Sequence, residues 1–271
     1  MERMEFGSFG PNGTQDNRKT CWVVDLGLVR YGSASELQRT LVAASKAHAI
    51  PDVLLFCEHP HVITLGRNGR CEHLRASDHL LRQMNVEFHL TDRGGDITYH
   101  GPGQIVCYPI LDLAEHCRDV RWYVHSLEEV MIRATADFGI AAKRMAGMHG
   151  IWVGAPEREE KLAALGVHLS RWVSSHGFAY NVSTDLRYFD LIIPCGIADK
   201  RATSLERVLA RVVRCAEVRP RLVSHFGDVF QRDLVGVSRE NLDEALRKKK
   251  SAALARLNGL AEVRAPKGSE V

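Results

Sequence analysis

The chain has 271 residues, of which 45% are hydrophobic and 25% are charged, and its formal net charge is +3. These values are typical of a globular protein and exclude the disordered, collagen-like and coiled-coil classes. The chain is long enough to bury a full core without metals or disulfides. Its apolar runs fall short of the roughly 20 residues that span a bilayer, and its polar beginning lacks the apolar stretch of a secretory signal. A cytoplasmic protein without a membrane anchor is therefore expected.

The charge is unevenly distributed along the chain. From Lys200 onward there are 16 lysines and arginines against 9 acidic residues, so this part carries +7 and the residues before it carry −4. A basic C-terminal third is suited to an acidic partner such as nucleic acid, a phosphorylated ligand or an acidic carrier protein. A solvated helical surface is the alternative, and it is favoured for the run at 247–250 taken alone.

Cysteines and histidines give no metal or disulfide pattern. The 7 cysteines form no CxxC pair, which indicates reduced thiols. Ligand-type residues gather at 57–61 and 71–73, but no HxxxH pair accompanies them. The sequence therefore predicts isolated polar histidines and no metal site.

The predicted elements do not alternate regularly between strand and helix. Strands are expected at 21–26, 52–58, 61–66, 86–90, 105–113, 150–154, 165–170, 176–182 and 191–197. Helices are expected at 33–49, 77–84, 121–139, 220–234 and 239–257. Strands concentrate in the middle of the chain with helices around and between them, which favours an α+β fold over a doubly wound sheet.

The segment RGGDITYHGPGQ, from Arg93 to Gln104, has the least ordinary composition in the chain. Its four glycines and its hydrogen-bonding side chains cannot build a core, but they can form a loop whose backbone amides approach a ligand closely. It has neither Walker spacing nor a complete Rossmann fingerprint. A binding loop is favoured over the alternative, a long β-hairpin turn.

A cysteine follows the apolar run LII at the end of an expected strand. Cys195 stands between a proline and a glycine, on a turn where a thiol is accessible and backbone amides are available to an oxyanion. A nucleophilic role and an unreactive, partly buried thiol are equally compatible with this context. A nucleophile also needs a group that favours the thiolate. The candidates by residue type are Lys161, His100, His168 and His176.

Lys161 begins the apolar stretch KLAALGVHLS, directly after a charged turn. Desolvation at the start of a buried strand would lower its pKa and suit it to proton transfer. From this context alone, the simpler interpretation is that Lys161 is the last charged residue of the turn and extends into solvent.

Taken together, these motifs resemble the lipoyl(octanoyl) transferase family over roughly residues 21–210. The resemblance rests on RGGDITYHGPGQ (93–104), KLAALGVHLSRWVSSHGFAYNV (161–182), IIPCGI (192–197) and the Thr-Ser-Leu at 203–205. It implies the α/β catalytic domain of biotin and lipoate protein ligases, a mixed β-sheet flanked by helices. The implied organisation is a flexible segment at 1–20, a catalytic domain at 21–210 and a basic helical extension at 211–271.

The resemblance also implies the site residues. Its cysteine/lysine dyad falls on Cys195 and Lys161, and His59 and His176 lie in family motifs near the active site. The substrate-contacting positions fall on Arg93, Gly94, Gly95, Asp96, Ile97, Thr98, Tyr99, His100, Ala164, Leu165, Gly166, Gly177, Phe178 and Ala179. No cofactor and no metal is implied.

The implied activity is transfer of an octanoyl or lipoyl group through an acyl-Cys195 thioester. The donor is octanoyl-acyl carrier protein, and the acceptors are lysines of lipoyl domains in 2-oxoacid dehydrogenase E2 subunits and of the glycine cleavage H protein. Neither nucleic acid nor membrane is an implied partner. The alternatives are an ATP-dependent lipoate-protein ligase, a non-catalytic scaffold that binds carrier or lipoyl domains, and a thioesterase that uses the same cysteine.

Overall fold

A computed structural model describes residues 18–193 and 200–248. The predicted nucleophile, Cys195, lies outside the described residues, together with residues 1–17 and 249–271 and the rest of the segment 194–199. The end of the strand predicted at 191–197 falls in that segment. Its beginning is instead the last residue of a 3-10 helix, Leu186–Leu191.

The described strands and helices are numbered in chain order. The strands are β1 (Lys19–Leu28), β2 (Asp52–Glu58), β3 (Val62–Leu65), β4 (Glu87–Leu90), β5 (Ile97–His100), β6 (Gln104–Ile110), β7 (Lys143–Met145), β8 (Met148–Val153), β9 (Glu160–Ser170), β10 (Val173–Asn181) and β11 (Arg232–Gly236). The helices are α1 (Tyr31–Lys46), α2 (Asp78–Gln83), α3 (Val120–Ala136), α4 (Leu205–Leu209), α5 (Cys215–Phe230) and α6, helical over 239–248.

Eight strands form one mixed sheet in the order β11-β1-β2-β6-β10-β9-β8-β7. β1 pairs in parallel with β11 and β2, and from β2 to β7 every pairing is antiparallel. A smaller sheet has the order β4-β3-β5. The prediction of an α+β protein with a mixed sheet flanked by helices is therefore confirmed.

Helices cover both faces of the large sheet. On one face α3 and α5 pack together against the sheet, and the apolar stripe of α3 meets buried side chains of β10 such as Phe178 and Tyr180. On the other face α1 packs against β6 and β10 through Leu37 and Leu41. Each fully buried side chain of this size contributes about 1.5–3 kcal/mol to folding.

Residues after 210, expected to form a basic helical extension, contribute to the same core as the residues before them. Phe226 and Phe230 of α5 lie in the core with α3, and β11 adds a strand beside β1. The helix expected from Pro220 begins earlier, at Cys215, because the Glu217 carboxylate accepts the N–H of Arg214 (2.9 Å) and starts the helix there.

The described helices were also compared with the length and apolar character that a bilayer requires. In the described part of the chain, none of them meets both requirements for spanning a membrane.

Candidate active site

Lys161 lies near the start of β9, where three backbone segments meet. It lies opposite Trp152 of β8, and its Nζ atom is 4.7 Å from the centre of the indole ring. Its backbone N–H donates to the carbonyl oxygen of Arg201 (2.8 Å), and its own carbonyl accepts the N–H of Thr203 (2.9 Å). The chain that resumes after the undescribed segment 194–199 is therefore fixed beside Lys161.

A cavity of about 270 Å³ extends from Lys161 between the large sheet and the small one. Side chains and backbone of β6, β9 and β10 form its floor, and the 93–100 segment covers it. Of the predicted substrate-contacting residues, all except Gly94 and Tyr99 line the cavity, and Lys161 and His176 line it too. The structure thus brings together residues of the two separate motifs at 93–104 and 161–182.

Glycines allow the covering loop to lie directly on the sheet. Gly166 and Gly177 lie opposite each other in β9 and β10. A Cβ atom on Gly166 would lie 2.6 Å from the carbonyl oxygen of Gly94, and one on Gly177 would lie 2.2 Å from the carbonyl oxygen of Cys107. Both distances are far shorter than van der Waals contact, so only glycine fits. Gly94 itself donates its N–H to Val167 of β9 (2.8 Å), which attaches the loop to the strand.

Arg93 has a structural role in this loop that the sequence analysis did not predict. Its guanidinium is buried and donates to Thr64 of β3, through Nη2 to the carbonyl oxygen (2.8 Å) and through Nε and Nη2 to the hydroxyl. Nη1 also donates to the carbonyl oxygen of Gly94 (3.1 Å). Because these bonds join the loop to the small sheet, Arg93 holds the cover of the cavity in place.

A chain of buried polar side chains crosses one wall of the cavity. Gln104 accepts from Nδ1 of His100 (2.7 Å) and donates to Oδ1 of Asn181 (2.9 Å), and Asn181 donates to the carbonyl oxygen of Thr203 (2.9 Å). Burial, with the neighbouring His59 as a second cause, lowers the pKa of His100 to about 3. His100 is therefore neutral near pH 7, and its proton on Nδ1 is already donated to Gln104.

His59 and Tyr99 lie behind the walls of the cavity. His59 donates from Nδ1 to the carbonyl oxygen of Val29 (2.7 Å) and accepts at Nε2 from the hydroxyl of Tyr108 (2.8 Å), which does line the cavity. Burial lowers the pKa of His59, so its neutral form holds the Tyr108 ring in position. The Tyr99 hydroxyl bonds to His61 on the far side of the small sheet, in that sheet's own core.

His176 closes the cavity at the end remote from Lys161. It has a φ of +55°, its N–H donates to Gln38 of α1 (2.8 Å), and its Nε2 pairs with Asp92 (2.7 Å). The hydrogen bond from His176 is the largest cause that lowers the pKa of Asp92 to about 2. Asp92 therefore stays ionised, and its hydrogen bond holds the imidazole of His176 in position.

The two ends of the cavity differ in exposure among the described residues. At the Lys161 end, the open end, the lining includes the exposed residues Gly147, His149 and Arg201. At the other end, the closed end, Tyr31, Arg93, His100, Tyr108 and His176 line the cavity and are all buried. A ligand that enters beside Lys161 therefore extends toward buried residues.

Several lining residues were missed by the sequence analysis. Trp152 was interpreted only as part of an apolar strand, Asn181 lay in the 161–182 motif without a role of its own, and His149 and Arg201 belonged to no motif. The sequence feature that could have indicated Trp152 is its place in GIWVG, between two glycines and on the strand before Lys161. Which of its neighbours it faces depends on strand order, and local sequence does not give strand order.

One metal-type cluster is present among the described residues, away from the cavity. His48, Asp112 and Glu115 bring their ligand atoms within 4.8 Å of one another. Two of the three are exposed, and Glu115 forms an ion pair with Lys19. Its composition is that of an ordinary surface ion-pair group.

Comparison with known proteins agrees with this geometry. The lipoyl protein ligase A/B catalytic domain matches residues 30–227. An octanoyltransferase of Solibacter usitatus is 49% identical over 217 residues, which cover 80% of this chain and 96% of that protein. Octanoyltransferases of Koribacter versatilis and Acidobacterium capsulatum are 46% and 51% identical, over 83% and 68% of this chain and 89% and 78% of their own lengths.

Solved structures share the fold at low sequence identity. A bipartite lipoate protein ligase of Thermoplasma acidophilum, studied with its E2 lipoyl domain, has a TM-score of 0.65 at 15% identity and covers 85% of this chain and 91% of its own. A lipoate-protein ligase A bound with ATP has a TM-score of 0.63 at 14% identity, over 85% of this chain and 93% of its own. The chain belongs to the lipoyl protein ligase A/B catalytic domain family and, within it, to the octanoyltransferases.

Proposed function

We propose that this enzyme transfers octanoyl groups from acyl carrier protein to lysines of lipoyl domains through a thioester on Cys195, in the cytoplasm. The observation that carries the proposal is the position of Lys161 at the exposed end of a cavity whose other end is lined by buried residues. The chain that begins five residues after Cys195 lines the same cavity and is hydrogen-bonded to the backbone of Lys161. This supports a thiol within reach of the lysine amine.

In the first step Lys161 takes the proton of the Cys195 thiol, and the thiolate attacks the carbonyl carbon of the octanoyl thioester. The bond from that carbon to the carrier's sulfur breaks, and the carrier thiolate takes the proton back from Lys161. One thioester replaces another, so the step is close to balanced in free energy. The eight-carbon chain occupies the cavity, with its end toward the buried lining residues.

In the second step the amine of a lipoyl-domain lysine attacks the octanoyl-Cys195 carbonyl. Neutral Lys161 accepts the proton of the attacking amine, the carbon–sulfur bond to Cys195 breaks, and an amide forms. Amide formation from a thioester is downhill, so neither ATP nor a cofactor is consumed. An ordinary lysine pKa near 10.4 is too high for this role, so the mechanism requires desolvation of Lys161.

A ligase that activates free lipoate with ATP is the second candidate, because a lipoate-protein ligase A bound with ATP shares the fold. Such a ligase has no need of a nucleophilic thiol, whereas this sequence has the Pro-Cys-Gly turn at 194–196. The dependence of product formation on ATP separates the two candidates.

The decisive experiment is the intact mass of the protein after mixing with octanoyl-acyl carrier protein. We expect one hydroxylamine-sensitive octanoyl adduct on the wild type, which disappears when a lipoyl domain is added and acquires the label. The variant Cys195→Ser controls for the site of attachment and is expected to form no such adduct. An adduct on another cysteine, or product formation that needs ATP and free acid, would contradict the proposal.

Trp152 gives a separate prediction about the thiol. Its indole ring faces Nζ of Lys161 and favours the ammonium form by about 0.5–2 kcal/mol, which offsets part of the lowering of the Lys161 pKa that the mechanism requires from desolvation. Since the ammonium in turn stabilises the thiolate, Trp152→Leu is expected to move the pH inflection of Cys195 alkylation by iodoacetamide upward by roughly one unit. Trp152→Phe, which retains a weaker aromatic face, is expected to give an intermediate shift. An inflection that stays unchanged in Trp152→Leu would contradict this role for the indole.

A further inference from the structure

The rim of the open end of the cavity is basic. Lys200 and Lys143 both donate to the single carboxylate of Glu159, each at 2.9 Å. These hydrogen bonds, with Lys143 contributing most, lower the pKa of Glu159 to about 2, so that carboxylate stays ionised. Two lysines share one negative charge, and an excess of positive charge remains at the rim.

Arg201 adds an uncompensated charge at the same place. Its side chain is exposed, it lines the cavity, and it makes no ion pair with any residue in the described ranges. Its carbonyl oxygen accepts the N–H of Lys161, so Arg201 is attached directly to the reactive end. His149, near the start of β8, lies exposed on the cavity lining as well.

Most other basic residues after Lys200 are engaged within the molecule. Ion pairs join six of them to carboxylates, and these are Arg207 with Glu160, Arg211 with Glu217, Arg219 with Asp25, Arg232 with Asp52, Arg239 with Asp243, and Lys248 with Glu244. The charge of +7 counted from the sequence is therefore largely compensated where the structure describes it. Lys200 and Arg201 are the members of that set that border the cavity.

A second basic surface lies at the closed end of the cavity. It is a groove along α1 and the turn from β9 to β10, lined by Arg39, Lys46, Arg67 and Arg171, with Asp92 as its carboxylate. His176 separates this groove from the cavity. Since His176 lies opposite Val167, six residues from Lys161, the groove begins about 20 Å from the reactive end at about 3.3 Å per residue. A carrier bound there would therefore hold its thioester about 20 Å from Lys161, with His176 between them.

We infer that the acidic face of the donor carrier protein docks on the rim formed by Lys143, His149, Lys200 and Arg201. This inference rests on the proposed function and adds the surface that the donor uses. Positive charge around the open end attracts an acidic protein and orients its thioester arm toward Lys161. Because these charges are exposed, screening by salt weakens the attraction.

The test compares two donors, octanoyl-acyl carrier protein and octanoyl-pantetheine, which has no protein surface. For Arg201→Glu, and separately for Lys143→Glu, we expect the ratio of kcat/KM for the carrier donor to that for the small donor to fall about tenfold at 50 mM salt. The loss is expected to shrink at 0.5 M salt. Arg39→Glu and Arg171→Glu make the same charge change at exposed positions of the α1 groove and are expected to leave the ratio unchanged.

Each outcome bears on one proposal or on both. If the rim variants keep the wild-type ratio, or if the groove variants lower it instead, docking on the rim is wrong while octanoyl transfer stands. If the wild type transfers octanoate from neither donor, the proposed function fails and the docking surface fails with it. If high salt leaves the rate with the carrier donor unchanged, an electrostatic docking surface is excluded.

Discussion

Lys161→Ala is expected to lower kcat/KM for octanoyl transfer by about 10³-fold, because it removes the group that accepts a proton in both steps. The thiol would remain mostly protonated near pH 7, and the attacking amine would have no base. The fold is expected to be unaffected, because the backbone of residue 161 pairs in β9 with any side chain and the amine of Lys161 faces the cavity. Steady-state transfer rates, with circular dichroism as a check on folding, test this.

Lys161→Arg separates the two roles of the lysine. A guanidinium keeps the positive charge that stabilises a thiolate, but it does not accept a proton near neutral pH. We therefore expect the octanoyl-Cys195 adduct to form on this variant and to persist after a lipoyl domain is added. A Lys161→Ala enzyme within tenfold of the wild type, or a Lys161→Arg enzyme that completes transfer at the wild-type rate, would contradict the proton-transfer role.

Much of the fold was predictable from local patterns. The stripe of Tyr123, Leu127 and Met131 has helical spacing, and α3 lies within three residues of the predicted range. The strand that begins near Lys161 was also predictable, because an apolar run follows a charged turn. In both cases the signal is contained within one element.

The Gly-rich segment shows where local reasoning ends. It was predicted as a loop, yet Ile97–His100 forms β5, whose partner β3 lies over 30 residues earlier in the chain. Pairing with a distant strand overrides a composition that disfavours strands. The structural role of Arg93 could not be predicted for the same reason. The hydroxyl and the carbonyl oxygen that accept hydrogen bonds from its guanidinium belong to Thr64 of that distant strand.

Motifs that lie far apart along the chain converge on one cavity because of strand order. Local sequence does not specify that β10 lies between β6 and β9, which brings Gly177 opposite Gly166 and against the carbonyl of Cys107, while Gly166 lies against Gly94. The family resemblance already implied that the positions in these motifs contact one substrate. It did not supply Trp152 or the exposed Arg201, because neither belongs to the motifs on which the resemblance rests.

Ala164→Leu is expected to change the preferred length of the acyl chain. Ala164 lies three residues from Lys161 along β9, about 10 Å at 3.3 Å per residue, and it lies opposite Ala179, which also lines the cavity. An extended octanoyl group spans about 9 Å, since its seven carbon–carbon bonds of about 1.5 Å form a zigzag. The terminal methyl of a chain that begins beside Lys161 therefore ends at the level of these two alanines.

A leucine at 164 would place its branched end where the last carbons of the octanoyl chain lie. Steric exclusion discriminates far more sharply than the loss of attraction for one methylene, which is worth about 0.8 kcal/mol. We therefore expect the ratio of kcat/KM for octanoyl to that for butanoyl donors to fall about 100-fold, measured with the pantetheine thioesters. Ala164→Ser, which adds only a hydroxyl, is expected to keep the preference for eight carbons. A uniform loss for all chain lengths in Ala164→Leu would mean that the acyl chain does not run along β9 toward His176, since only a chain in that direction passes Ala164 near its end.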